Sequence, residues 1–517
     1  MSIKNTLIVL LTLTIITTAL FAFEPGTPQR LRVDVEYLCS SQLAGRNSPG
    51  PEADQTAEWI ASRFRILGMT SPYIEDDFYQ SVPLRTGVID TVVTSVILNG
   101  DGWELLLTWG KDFYLFPGSL HPIDTTFSLV YAGFAMLVEH LGDSVNIENI
   151  FPRHQSGKAT LFEIGGGDIS NEAAGRFGMT PFKAAAATRA GASMSIAMAS
   201  ADMDWPPPET SQKLSNLPKG LVDFPDVQSK IPVVYLNSAS LTEHLDQVKN
   251  TRRANSPNVN ISLHLRFRDV KEQSSKNVIA KIDGTSYNYV MLGAHYDHEG
   301  MVASTPEDTT LVYYPGADDN ASGVAAMLEI CRLWSKREQP VTGLIAVAFT
   351  AEEDGLLGSK WLSDNLPIVP ENLVAMINLD MIGRAAFPSM RDVHRPGAVP
   401  DSSYLAMYYA AASPALEPLL TLATAGSPLK VNLQAVNSFA HFGDVASLYA
   451  IEVPTVHLFT GFHADYSQLT DTPDKIDFVK LARVVDLIDA SLQSIADSHQ
   501  PITFDPNVRV KGSHMPY

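Results

Sequence analysis

YVMLGAHYDHEG, residues 289–300, carries an unbroken run of apolar and small residues from Tyr289 to Ala294 that ends on His295 and Asp297. A short apolar run bounded by polar residues reads as a buried strand. Three further segments resemble it: PGADDNASG at 315–323, TAEEDGLLGS at 350–359 and INLDMIG at 377–383. Each follows or interrupts a stretch of Val, Ile, Leu, Met and Ala, so each sets a His or carboxylates where a strand stops. In α/β enzymes, chemistry collects at the ends of strands.

Working outward, NVIAKIDG (277–284), LIAVAFTAEE (344–353), LVAMINLDMIG (373–383) and PTVHLFTG (454–461) read as further buried strands, preceded by the alternating VNISLHLRFRDV (259–270). Helical patterns expected around 321–336, 358–364, 402–412 and 475–497 alternate with them. This βα alternation predicts an α/β fold with a mixed, mainly parallel sheet covered by helices on both faces.

Upstream, QRLRVDVEYL (29–38) reads as an amphipathic helix, and a Gly/Pro loop at 43–51 leads into a second helix ending at Gly68. FYQSVPL (78–84) and the alternating segment 91–109 follow as strands. From about 118 to 250 the pattern changes to SLVYAGF, KATLFEIGG, an Ala-rich helix running into a strand at 180–200, and a strand and helix at 231–248. The expected division is a signal segment at 1–22, a first catalytic part at 24–117, an inserted smaller α/β domain at 118–250, the main catalytic part at 251–500 and a tail at 501–517. The insert carries no constellation of titratable side chains, which points to covering or selecting substrate rather than to chemistry.

Taken singly, His295 could be a hydrogen-bonded core histidine and Asp380 a helix cap. Together, one His and several carboxylates at strand ends within fewer than a hundred residues ask for a cation, because buried carboxylates are costly unless paired or bound to metal. An imidazole with carboxylates and no thiolate suits zinc, with cobalt or manganese as substitutes. Asp297, two residues beyond His295, is placed to accept from its second ring nitrogen and fix the tautomer. Of Glu352 and Glu353 only one need bind metal, which frees the other to take a proton from the attacking water.

These motifs resemble the zinc exopeptidase family that includes secreted bacterial double-zinc aminopeptidases, glutamate carboxypeptidases and glutaminyl cyclases. The resemblance implies that His295 and Asp380 hold a first zinc, that Asp319 bridges, that Glu353 belongs to a second zinc and that Glu352 is the general base. It further implies a cis peptide between Asp319 and Asn320, and it identifies the 118–250 segment with the protease-associated (PA) insert of many relatives. The L-x-G-R segment ending at Arg46 also fits, with that arginine either fixing a loop or meeting substrate.

One departure stands in HADYSQLTDTPDKID (463–477), where Tyr466, Asp471 and Thr472 keep the family register but Ser467 replaces the histidine that ends the second zinc's ligand set. A neutral hydroxyl is a poor zinc ligand, so one tightly held zinc is expected and a second held weakly, unless His463, His441 or His457 substitutes.

Composition bounds the rest. With 517 residues, of which 45% are hydrophobic, the chain can bury large cores, and a net charge of −20 argues against a nucleic-acid partner. Cys39 and Cys331 are the only cysteines and suggest no disulfide framework. One Lys followed by an apolar run from Leu7 to Ala22 reads as a secretory signal or an uncleaved anchor; no later stretch is apolar enough to span a bilayer. The expectation is an exported zinc-dependent exopeptidase, an aminopeptidase first, acting on peptide substrates. The alternatives are a peptidase fold that has lost catalysis and binds instead, and a glutaminyl cyclase, which Ser467 disfavours.

Overall fold

The computed structural model describes residues 27–510 apart from 74–76, 117, 135–154, 166–179, 208–220, 225–230, 253–257, 305–309, 388–392, 394–396 and 440–441. The signal segment and His441 lie outside the described residues.

A nine-stranded sheet organises the part that carries the motifs. Its strands lie in the order 430–436, 404–410, 455–459, 373–379, 289–295, 343–349, 267–282, 79–89 and 221–223. The four central strands, 455–459, 373–379, 289–295 and 343–349, are mutually parallel, while 267–282 and 79–89 extend one side antiparallel and 404–410 joins the other side antiparallel. The central strands Tyr289–His295 and Gly343–Phe349 are buried along their whole length. That explains their apolar composition, since both faces of a parallel strand are covered.

Helices Thr27–Leu38, Pro51–Ile66, Gly323–Ser335 and Phe478–Ala496 pack one face through a shared core containing Leu31, Phe64, Leu292, Met327, Ala346 and Ile488. The other face is covered by Leu362 and Leu448, which meet Met291, Val347 and Met376. The last helix is started by Asp477, whose carboxylate accepts from the N–H groups of Val479 and Lys480.

The helix expected at 402–412 is a strand, Tyr404–Ala410. YLAMYYA is buried at every position but the first, so neither period is visible in it. Its two neighbours, 455–459 and 430–436, decide its conformation.

An eight-stranded sheet with its own core around Leu98, Phe113, Leu161, Ile196 and Leu236 runs in the order 103–107, 95–100, 260–265, 123–131, 159–163, 194–199, 233–237 and 113–116. It therefore draws strands from 95 to 265, a wider span than the 118–250 expected for an insert. One piece of the expected insert, Leu221–Asp223, instead edges the nine-stranded sheet, where Asp223 accepts from Arg85 at 3.0 Å. Residues 202–220, which read in sequence as an exposed loop with three consecutive prolines, lie largely outside the described residues. Cys39 and Cys331 are both buried and free.

Candidate metal centre

Every candidate residue sits at or just beyond the carboxyl end of a central strand, apart from Asp319. His295 is the last residue of its strand, Asp380 follows Leu379, and Glu352 and Glu353 follow strand 343–349 by a short turn. Asp319 enters from the kinked turn Ala317–Ser322, where its own backbone is non-helical (φ −104°, ψ 95°), just before helix Gly323–Ser335. Ala351 and Met381, each adjoining a candidate carboxylate, have φ of 52° and 51°. Left-handed backbone at non-glycine residues costs free energy and is kept where the surroundings enforce it. The peptide between Asp319 and Asn320 is cis, as the resemblance implies.

The side chains converge. His295 Nε2 lies 3.3 Å from Asp319 Oδ1 and 3.5 Å from Asp380 Oδ1. Two atoms held about 2.0–2.1 Å from one tetrahedral zinc stand about 3.3 Å apart, so this trio has the spacing of a ligand set. Asp319 also joins a second group with Glu353 and His298, in which His298 Nδ1 lies 2.7 Å from Glu353 Oε1. Among the described residues these are the two groups of His, Cys, Asp and Glu able to hold a metal ion, and Asp319 belongs to both. His295, His298 and Asp319 are buried, whereas the Asp380 and Glu353 side chains keep 18% and 20% of their exposure, which leaves the centre open to solvent on their side.

Charge in this space is heavily one-signed. Burial raises Glu352 well above its ordinary value, and the neighbouring Glu353 and Asp444 carboxylates add to it against the opposing pull of His295. Burial and Asp319 raise Glu353 in the same way. His295 is raised well above its usual range because Glu352, Asp319 and Asp380 outweigh the burial that opposes its charge. His298 goes the other way, held down by burial, and neutral imidazole is the form that binds metal. So many carboxylates in one buried space require protons or a cation to share the charge, and the donor set is one zinc accepts.

The supports differ from expectation at Asp297. Its carboxylate stands 3.9 Å from His295 Nδ1, and the nearer partner of that nitrogen is the main-chain carbonyl of Asp297 at 3.2 Å. The carboxylate instead accepts from the backbone N–H groups of Glu352 and Glu353 at 3.1 and 3.4 Å. Asp297 thus ties the glutamate turn to the histidine strand, and the backbone carbonyl orients the ring.

Arg46 is fully buried and fixes loops. It donates to the carbonyls of Leu38, Tyr296, Pro315 and Gly316, which joins the segments bearing His295, His298 and Asp319. Asp471 Oδ2 accepts from the N–H groups of Asp318 and Asp319.

Of the histidines considered as substitutes for Ser467, His463 has its Nε2 3.3 Å from Asp318 Oδ2. His457 is a strand residue beside Asn378, driven down to about 3 by burial. Neither belongs to a metal-holding group among the described residues. The motif reading misses His298, although HYDH places a second imidazole at the same strand end as the first.

Residues 277–492 match the model of Peptidase family M28. An uncharacterized protein, YfbL, of Escherichia coli K12 is 29% identical over 233 residues, spanning 41% of this chain and 68% of that protein. A protein of Pyrenophora tritici-repentis named "Probable zinc metalloprotease" is 38% identical over 113 residues, which is 21% of this chain and only 24% of the fungal protein. Among solved structures, an aminopeptidase from Aneurinibacillus sp. strain AM-1 shares the fold with a TM-score of 0.54 at 20% identity, over 94% of this chain and 96% of that one.

Proposed function

Since residues 277–492 belong to peptidase family M28, we propose that the protein is an exported, zinc-dependent aminopeptidase that removes residues from the free amino ends of peptides, with its eight-stranded sheet forming a PA-like insert that covers or selects substrate. The observation that carries this reading is the trio His295, Asp319 and Asp380 at zinc-ligand spacing, with Glu352 beside it.

A zinc ion held by His295, Asp319 and Asp380 would polarise the scissile carbonyl and make water acidic. Glu352 accepts the proton of the attacking water and returns it to the departing amine. Burial suits it to this exchange, because desolvation raises its carboxyl above the ordinary value and so makes it a better proton acceptor than a solvated glutamate. Asp297 holds the glutamate turn in place through two backbone hydrogen bonds.

The preference for an amino end is carried over from the aminopeptidases that these motifs resemble, one of which shares the fold. Export rests on the N-terminal apolar segment; among the described residues no helix is long and apolar enough to cross a membrane.

The test is to incubate zinc-loaded protein with a peptide carrying a free amino end, with its N-acetylated form, and with its C-terminal amide. Stepwise loss from the free amino end, blocked by acetylation and by a zinc chelator but not by amidation, is expected. Stepwise loss from the carboxyl end would replace this reading with a carboxypeptidase.

A further inference from the structure

Ser467 stands where the family pattern has an imidazole, yet the centre contains two imidazoles, because His298 faces it from another loop. We propose that His298 has taken over the role vacated at Ser467, so that a second zinc is held by His298, Asp319 and Glu353, with the imidazole supplied by the loop after strand Tyr289–His295 instead of by the 463–472 loop. This rests on the zinc peptidase reading and concerns which residues complete it.

Geometry supports the substitution. One ligand atom from each of His298, Asp319 and Glu353 lies within 4.8 Å of the others, and Asp319 is at the same time within reach of His295. Asp319 is therefore placed to bridge two ions, as a carboxylate with two oxygens can.

The His298 ring is not a solvated side chain that happens to fall nearby. Its side chain has no exposure, and its Nε2 meets no hydrogen-bond partner. Buried structural histidines ordinarily satisfy both ring nitrogens. The Nδ1 side of the ring faces Glu353 at 2.7 Å, a hydrogen-bond distance, so the pair has to open toward the ~3.3 Å of two zinc ligands when an ion is taken up.

Room for that ring is built in. Gly316 has φ of 57°, and a Cβ there would stand 2.5 Å from His298 Cδ2. A side chain at 316 would thus be strained by its own backbone and would push the imidazole out. Arg46 Nη2, donating to the carbonyl of Gly316, holds this glycine in place, and the backbone N–H of His298 donates to the carbonyl of Arg46.

Among the described residues, the competing histidines do not fill the role. His463 is turned to Asp318 and His457 lies within its strand beside Asn378. The expectation of one tight zinc follows from Ser467 alone, and His298 removes its premise.

The decisive measurement is metal content per chain, by elemental mass spectrometry, on zinc-loaded full-length protein after dialysis against zinc-free buffer. Two zincs are expected in the unmodified protein and one in His298→Ala. His298→Ala/Ser467→His is expected to recover the second, because it restores an imidazole from the other loop. The loss in His298→Ala should appear in titration calorimetry as a weakening of the second site by at least ~100-fold, at or beyond the upper end of what losing an outer-shell partner does.

Should His298→Ala fail to fold, X-ray absorption at the zinc edge of the unmodified protein still decides. The proposal requires an average of one imidazole per zinc across two zincs; half an imidazole per zinc would overturn it. Two zincs retained in His298→Ala would overturn it as well. A single zinc in the unmodified protein with peptide cleavage intact would overturn this inference and leave the peptidase reading standing, whereas no zinc at all would remove both.

Discussion

Glu352 and Glu353 are neighbours in sequence for which opposite tasks are proposed, and they keep different company in the structure. Glu353 pairs with His298 at 2.7 Å, while Glu352 lies among His295, Asp380 and Asp444 and belongs to neither metal-holding group. Glu352→Gln keeps the size and removes the proton acceptor. It is expected to leave zinc content unchanged and to lower turnover by at least ~100-fold, within the range for loss of a general base. A variant that stays nearly as active, or that sheds its zinc, would show that the two roles had been assigned the wrong way round. At this scale the sequence is informative for His295, Asp319, Asp380 and the glutamate pair, because they adjoin apolar runs and the family pattern orders them. It is silent on His298, which lies beside a motif that already has its histidine. Whether that ring faces the centre depends on the turn through Glu299 and Gly300 and on the space left by Gly316, neither of which a spacing rule can supply.

At the scale of elements, the strands that read clearly are those with a polar stop. Tyr289–His295, Gly343–Phe349 and Leu373–Leu379 all end on or just before a candidate residue, and each is legible for that reason. Tyr404–Ala410 has no such stop and reads as a helix; its conformation comes from the strands on either side. Arg46 shows how elements far apart in the chain are registered to each other. Its four donated hydrogen bonds reach the end of the first helix, the loop after His295 and the loop before Asp319. Arg46→Met fills most of the volume but leaves the carbonyls of Leu38, Tyr296 and Pro315 without their donor, while that of Gly316 keeps the N–H of Ala321. Each buried group left unpaired costs about 1–3 kcal/mol before relaxation, so a loss of about 3–5 kcal/mol is expected in denaturant unfolding, with weakened zinc binding in the same variant. A midpoint unchanged from the parent protein would mean that water or neighbouring groups replace the guanidinium and that the loops are registered by other contacts.

On the scale of the whole molecule, the net charge of −20 has a local counterpart in the carboxylates gathered at the carboxyl ends of the central strands. Folding without a cation forces those groups either to stay ionised against one another or to take up protons, and both cost stability that the unfolded chain does not lose. A metal that binds the native centre and not the unfolded chain adds RT ln(1 + [L]/Kd), about 4 kcal/mol when free zinc exceeds Kd a thousandfold. Removing zinc with a chelator is therefore expected to lower the melting temperature by at least about 5 °C, with recovery on adding zinc back. The effect should be unequal across the molecule. The eight-stranded sheet has a separate core, built around Leu98, Leu161 and Ile196, and holds none of the candidate ligands. If the two parts melt in resolved steps, only the step belonging to the nine-stranded sheet should move with zinc, which proteolysis during heating can assign by the fragments that survive. Melting curves that coincide with and without chelator, at one scan rate, would mean that the carboxylates are satisfied by protons alone and that no cation contributes to holding this fold together.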